Sequence, residues 1–353
     1  MKIAGFNLMD LLLIFIPITI GLHYSGFEDS NVLFATSILA ILPLAAKMGE
    51  ATEELAKTMG GQIGGLLNAT FGNAAELIIA LIAINKGLVE LVKASLAGSI
   101  IGNLLFVFGL SILIGGTKHK EQKFNSNLGR LNSTMLLIAF MSIMIPSMFH
   151  FVPAEHRGND EQLLSLGVSI LLLALYILSM VFSLKTHNYL FREEEEHEKP
   201  IWSKNFAIGI LAVSTILLAI ISEIFVAQIE VVAHNFQLSE LFIGEIVVAV
   251  VGNAAEHVGA VFFALKNKLD LSMSVTVGSS LQIALFVAPI CVIAAEILRK
   301  PMDLVFTPFE VIAVFASVLI VNEISSDGSC NWFEGAQLLV MYAIIAILFF
   351  FVR

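Results

Sequence analysis

Apolar runs of membrane-spanning length recur along the whole chain and leave few folds open. A bilayer-spanning helix needs roughly 20 mostly apolar residues. Of 353 residues, 58% are hydrophobic and only 14% charged, against about 25% charged in soluble domains. The chain is therefore predicted to be an all-α polytopic membrane protein. Eleven crossings read near 8–24, 31–48, 62–85, 91–115, 131–152, 162–184, 205–224, 238–265, 272–296, 303–321 and 334–352. The segment EATEELAKTMGG after the second run is too polar to span and is expected to lie at the interface as a short helix. The first run has no small-x-small cleavage site and reads as an uncleaved span.

Charge orients these spans. With Lys and Arg assigned to alternate sides, the N-terminal side collects 13, among them Lys47, Lys118, Lys120, Lys123 and Arg130, and the other side 6, among them Lys86, Lys93 and Arg299. The positive-inside bias then predicts a cytoplasmic N-terminus and an external C-terminus in a multi-pass protein of the cell membrane. The net charge of −10 comes without a basic cluster, so nucleic acid is not an expected partner. Cys291, in an apolar run, and Cys330, in a polar loop, make neither a disulfide framework nor a metal knuckle. No GxxxxGK phosphate loop and no hydrolase constellation is present, so no ATP-driven or enzymatic activity and no cofactor is expected.

The sequence GNAAE occurs at 72–76 and again at 252–256. Shifted by 180 residues, 63–107 and 243–287 align without a gap, with 16 of 45 positions identical. Polar letters are kept at fixed offset: both GNAAE runs, Lys86 with Lys266, and Gly98-Ser99 with Gly278-Ser279. Five crossings separate the copies, and five is odd, so they are predicted to cross the membrane in opposite directions. Inverted repeats of this kind bring their equivalent segments together near the midplane, with the substrate site between them.

A carboxylate at a bilayer centre costs at least ~2.5 kcal/mol, and intramembrane ionisable groups are functional by default. On a helix Asn73 and Glu76 share a face, as do Asn253 and Glu256. Gly72 and Gly252 permit a break that turns backbone carbonyls toward a cavity. Carboxylate, amide and carbonyl oxygens form the ligand set of a hard cation such as Ca²⁺, and the absence of thiolate and imidazole from both cores argues against zinc or copper. Ser99 and Ser279 follow the two glutamates at equal distance, where close helix packing explains them as well as ligation does. Asn103 and Gln282 are the next buried amides and need partners.

On GLLNATFGNAAEL at 65–77, VGNAAEH at 251–257 and GSSLQIALF at 278–286, the sequence resembles bacterial members of the cation/proton exchanger (CAX) family of the calcium/cation antiporter superfamily. The resemblance covers residues ~30–353, with no departure in either core motif. It implies two inverted five-helix repeats plus an extra N-terminal helix, one central Ca²⁺ site, and export of Ca²⁺ in exchange for H⁺. The family's signature residues match Asn73, Glu76, Asn253, Glu256, Ser279 and Gln282. The expected organisation is 1–30 as the extra helix, 31–190 and 201–353 as the repeats, and 191–200 as an acidic cytoplasmic linker. Ca²⁺, protons and the lipid bilayer are the partners; a homo-oligomer is left open.

The residues also give a reason for coupling. Two carboxylates facing each other in a low-dielectric cavity cannot both ionise cheaply, and a divalent cation reverses that balance. The core pair alone supports two protons per Ca²⁺. Glu53 and Glu223 are candidates for the ion pathway on either side, with plain interfacial solvation as the alternative. His257 points about 100° away from Glu256 around the helix and is not expected to ligate. The run REEEEHEKP at 192–200 reads as a solvated connector, or alternatively as a collector of Ca²⁺ at the inner mouth. Exchange driven by Na⁺ or K⁺ is the competing reading, followed by a passive cation channel. A hydrolase built on Glu256-His257 is disfavoured, because Leu77 occupies the matching position in the first repeat.

Overall fold

The computed structural model describes residues 2–3, 6–59, 66–67, 70–153, 160–187 and 200–352. Within them the chain is all-α, apart from two antiparallel pairs of two-residue strands, Lys2–Ile3 with Phe6–Asn7 and Gln122–Lys123 with Ser329–Cys330. The helices are α1 (Met9–Tyr24), α2 (Ser30–Met59), α3 (Ala74–Lys86), α4 (Val89–Lys118), α5 (Ser126–Phe149) and α6 (Asp160–Thr186), then α7 (Lys204–Phe236), α8 (Glu240–Gly252), α9 (Ala254–Leu265), α10 (Leu269–Ile297), α11 (Pro308–Ile324) and α12 (Trp332–Phe351). Among the described residues seven are long and apolar enough to cross a bilayer: α2, α4, α5, α6, α7, α10 and α12. The bent pair α8–α9 makes an eighth.

Local chemistry sets several boundaries. Thr307 and Glu310 close a capping box at the start of α11, with Pro308 in the first turn, which moves that helix several residues past the expected 303. Asn331 and Glu334 do the same for α12. Gly87, at φ 85°, ends α3 in the left-handed conformation that a residue with a Cβ resists.

The segment expected to be a separate interfacial helix instead extends α2 to Met59. Thirty residues of α-helix span about 45 Å, so the polar end runs well past the hydrocarbon. Lys57 bridges to Glu53 at 2.8 Å and to Glu54 at 3.3 Å along that end. Glu54 is buried because it accepts the backbone N–H groups of Ile201 and Trp202 at 2.6 and 2.9 Å. At the opposite end of α2, Asn31 accepts from Asn235 near the end of α7 at 3.2 Å. The two contacts make α2 and α7 antiparallel partners along most of their length.

The halves interlock. α3 packs against the C-terminal part of α10, and α9 against the C-terminal part of α4. α4 and α10 are the inner helices, with 78% and 67% of their spanning windows buried, against 22% for α6 and α12, which lie outside them. Leu171, Ile216 and Ile344 are exposed on the outer helices, as apolar residues facing lipid are.

The inner helices approach closely where glycine allows it. A Cβ on Gly98 of α4 would collide with the Glu245 backbone of α8, and one on Gly244 would lie 2.7 Å from the Ala94 Cβ. Small residues let membrane helices pack backbone to backbone in this way. Gly98→Val is expected to cost about 1–3 kcal/mol by overpacking, seen as a lower melting temperature of the detergent-solubilised protein. Gly209→Ala, where nothing lies within 4 Å of the added carbon, should leave the melting temperature unchanged or slightly raised.

Candidate functional site

Each GNAAE run interrupts its helix at the asparagine. Asn73 and Asn253 precede α3 and α9 with φ/ψ of −100°/27° and −92°/4°, in the sparsely populated region between helix and strand. The axes on either side of the second break differ by 63°. Neither asparagine caps its own helix through its side chain, so both carboxamides are available to the centre. The glutamates fall in the first turn of each new helix, at the end whose dipole favours negative charge. Glu76 also has its own backbone N–H directed at its carboxylate.

The asparagines, serines and amides of the two halves form one network. Asn73 donates through Nδ2 to Gln282 Oε1 and accepts at Oδ1 from the Ser279 hydroxyl at 3.0 Å. Asn253 donates through Nδ2 to Ser99 Oγ at 3.0 Å and to the Ala249 carbonyl at 2.9 Å. Asn103 donates to Asn253 Oδ1 and to Ser279 Oγ, both at 3.1 Å. Asn73, Asn253, Ser99, Ser279 and Asn103 are all buried. Apart from a long contact of 3.5 Å between Ser279 Oγ and Asn253 Oδ1, every side-chain link joins a residue of one half to a residue of the other.

Glu76 and Glu256 flank this network, close enough to repel each other electrostatically. Each is half-buried, and the Oε2 atom of each is shut off from solvent without a hydrogen-bond partner. Ser279 also contacts the Glu256 carboxylate. Gly252 makes room for the partner glutamate: a Cβ there would lie 3.2 Å from Glu76 Cγ and 3.4 Å from Oε1. Two orphaned carboxylate oxygens beside a ring of neutral amide and hydroxyl oxygens form a cage for a positively charged species. Among the described residues no group of three or more His, Cys, Asp or Glu gathers elsewhere for a metal.

Nine of the ten residues expected at the centre therefore converge there: Glu76, Glu256, Asn73, Asn253, Gly252, Ser99, Ser279, Asn103 and Gln282. Gly72 lies in the turn just before Asn73. The expected pathway residues are elsewhere. Glu53 is exposed near the end of α2 and paired with Lys57. Glu223 is exposed on α7 and lines an open depression of about 500 Å³ with Leu81, Ile82, Asn85 and Lys86 of α3 and the end of α10. Leu81 is five residues past Glu76, about 7.5 Å along the axis, so the depression leads toward the centre. His257 packs edge-on to Phe106, with ring centroids 6.4 Å apart. The acidic run 192–199 lies outside the described residues.

Composition gave no sign of the π turns at Gly102–Val107 in α4 and Ile283–Val287 in α10. They begin beside Asn103 and Gln282 at matching places in the two halves, the amides that bond to Asn253 and Asn73. Such turns mark functional sites in helices. Glu245, seven residues before the second GNAAE run, is also buried and has no matching letter in the first repeat to signal it.

Fold and site together define an all-α, multi-pass membrane protein organised around paired intramembrane carboxylates, the architecture of an ion transporter. The chain belongs to the sodium/calcium exchanger protein family, whose profile matches residues 30–185 and 206–351. It is 48% identical to the Ca(2+)/H(+) antiporter of Aphanothece halophytica over 364 aligned positions, covering 96% of this chain and 95% of that protein. It is 48% identical to the Ca(2+)/H(+) antiporter ChaA of Bacillus subtilis, covering 91% and 92%. The solved structure of native YfkE superposes with a TM-score of 0.86 at 42% identity, over 98% of this chain and all of that one.

Asn253→Ala removes the donor to Ser99 and one of the two acceptors of Asn103. A buried group left unsatisfied costs about 1–3 kcal/mol, so thermal melting in detergent should show a clear loss of stability, and a smaller one for Ser99→Ala.

Proposed function

We propose that this chain is a Ca²⁺/H⁺ antiporter that exports Ca²⁺ by alternating access, with Ca²⁺ and protons competing for Glu76 and Glu256. The observation that carries this reading is the pair of buried, unpartnered carboxylate oxygens, one from each half, beside neutral oxygen donors. Relatives at 48% identity along almost their whole length bear the same activity in their names.

Ca²⁺ takes six to eight oxygens. Two carboxylates supply up to four, the Asn73 carbonyl oxygen keeps a second lone pair beyond the bond it accepts from Ser279, and with the single Ser279 proton directed there the Asn253 carbonyl oxygen keeps one too. In this reading Ser99, Asn103 and Gln282 orient the two asparagines, Ser279 joins the cage, and the breaks at Gly72 and Gly252 give the carboxylates room. Without the cation, the two carboxyl groups are neutralised by protons taken from the medium. When Ca²⁺ enters, both ionise and the protons leave, so that the same pair of groups carries either cargo and never both.

The eleven-crossing arrangement belongs to the same proposal: an extra first helix at 1–30, inverted five-helix repeats at 31–190 and 201–353, a linker between them, the N-terminus inside and the C-terminus outside. The pairing of α2 with α7, and the exchange of partners by α3 and α9, support it. Glu223 and Glu53 stand toward opposite ends of the long helices and serve as entry residues for the cation.

Proteoliposomes with a trapped pH dye test the function. With Ca²⁺ added outside and an outward proton gradient, ⁴⁵Ca²⁺ uptake and proton efflux are expected together in wild type and at the level of empty vesicles in Glu76→Gln and Glu256→Gln. Asn73→Ala should retain exchange with a Ca²⁺ requirement about tenfold higher. Uptake that follows an outward Na⁺ gradient and ignores pH would overturn proton coupling.

A further inference from the structure

Two more carboxyl groups are buried away from the cation site. Glu245, in the π turn Ile243–Val248 of α8, is 1% exposed, and Glu310, in the first turn of α11, is 2% exposed. Their side chains meet in hydrogen-bond contact. Two carboxylates have no hydrogen to share, so this contact requires that the pair hold a proton. Glu310 accepts the Thr307 N–H at Oε2, 2.7 Å away, in the capping box, while Glu245 Oε1 is buried with no partner at all.

The surrounding charge leads to the same conclusion. The groups facing the pair are Lys93 and Glu90 of α4, Asp303 beyond Lys93, and Tyr342 of α12. One ammonium, Lys93, stands among four acidic groups and already binds Glu90 and Asp303 at 3.0 Å each. With Lys93 already shared by Glu90 and Asp303, two full negative charges on the buried Glu245 and Glu310 are costly, and the crevice past Glu310 is lined by Leu96, Ala97, Ile100, Phe306, Val311 and Val314. Lys93 lowers the cost of the ionised pair without abolishing it, which is what a site that both takes and gives a proton needs.

The pair also has charged neighbours that reach water and a place in the moving parts. Glu90 and Asp303 have side chains 74% and 32% exposed, so the ion pairs of Lys93, whose charge acts on Glu310, reach solvent. Glu245 lies seven residues, about 10 Å along the axis, before the break at Gly252, and its backbone touches Gly98. It has no counterpart in the first repeat, where Gly65 stands at the matching position, and Lys93 is matched by Met273. The pair is an addition to the repeated cation site and lies outside its symmetry.

We propose that Glu245 and Glu310 form a second proton-binding site, separate from Glu76 and Glu256, which takes a proton from the Asp303 end and releases it in each cycle, adding a third proton to each Ca²⁺ exchanged. The step is a simple proton transfer: water at that mouth gives a proton to one carboxylate oxygen of the pair and later receives it back. The role rests on the exchange reading; the existence of the site does not.

Infrared difference spectroscopy on the full-length protein in detergent tests the site without transport. At saturating Ca²⁺, where Glu76 and Glu256 are ionised, a C=O band of a protonated carboxyl group should persist in wild type and be lost as the solution is made alkaline. It should be missing from Glu245→Gln, with Glu310→Gln as the second variant. In proteoliposomes, the pH gradient at which net Ca²⁺ flux reverses should show one proton fewer per Ca²⁺ in Glu245→Gln. No such band in Ca²⁺-saturated wild type, a band that does not titrate, or an unchanged proton ratio in the variant would each overturn the proposal. Wild-type vesicles without any proton flux would end the exchange reading, while the infrared titration would still decide whether the site exists.

Discussion

Placing two carboxylates near the middle of a membrane is the constraint on which the rest of this structure depends. A charge there costs several kcal/mol unless it is neutralised or paired, and among the described residues no lysine or arginine is paired with Glu76 or Glu256. The protein meets the cost in other ways. It starts a new helix at each glutamate, so that the positive end of a dipole points at the carboxylate, joined at Glu76 by a backbone N–H. It surrounds the pair with amides and hydroxyls that bond mainly to one another across the two halves. What remains unsatisfied is one oxygen on each glutamate, and in the proposed function that deficit is what a proton or a cation fills.

The architecture follows from bringing these breaks together. A broken helix exposes backbone groups that lipid cannot satisfy, so each break is enclosed by the other half's inner helix. α3 lies on the end of α10, α9 lies on the end of α4, and Asn103 and Gln282, beside the two π turns, bond to the asparagines. The long helices α2 and α7 run antiparallel beside this centre and are tied at both ends, by Asn31 to Asn235 and by Glu54 to the backbone of Ile201 and Trp202. Close contact at Gly98 and Gly244 couples α8 to α4, so the segment carrying the second motif does not move independently of the helix carrying Ser99.

The membrane class, the repeat and the core of the site were legible because they are written in features with fixed spacing: apolar runs of spanning length and polar letters kept at an offset of 180. Helix geometry was not written that way. Hydropathy registers α8 and α9 as one run because both are apolar, although the chain turns by 63° between them. It also ends the second span where the charges begin, whereas Lys57, Glu53 and Glu54 support a continued helix. The π turns leave no compositional trace, since one extra residue per turn changes no residue type. Glu245 and Glu310 are not legible in the sequence because their meaning lies in a contact between positions 65 residues apart, and neither letter is kept at the offset of 180, where Gly65 and Arg130 stand.

The central claim is that Ca²⁺ and protons compete for the same two glutamates, and the most direct measurement is proton release on Ca²⁺ binding by the purified protein in weakly buffered solution. The account predicts that wild-type protein releases protons as the site fills, that Glu76→Gln and Glu256→Gln each abolish that release, and that Ca²⁺ affinity falls as the solution is made more acidic. Ca²⁺ binding with no proton release, and with an affinity indifferent to pH, would contradict it.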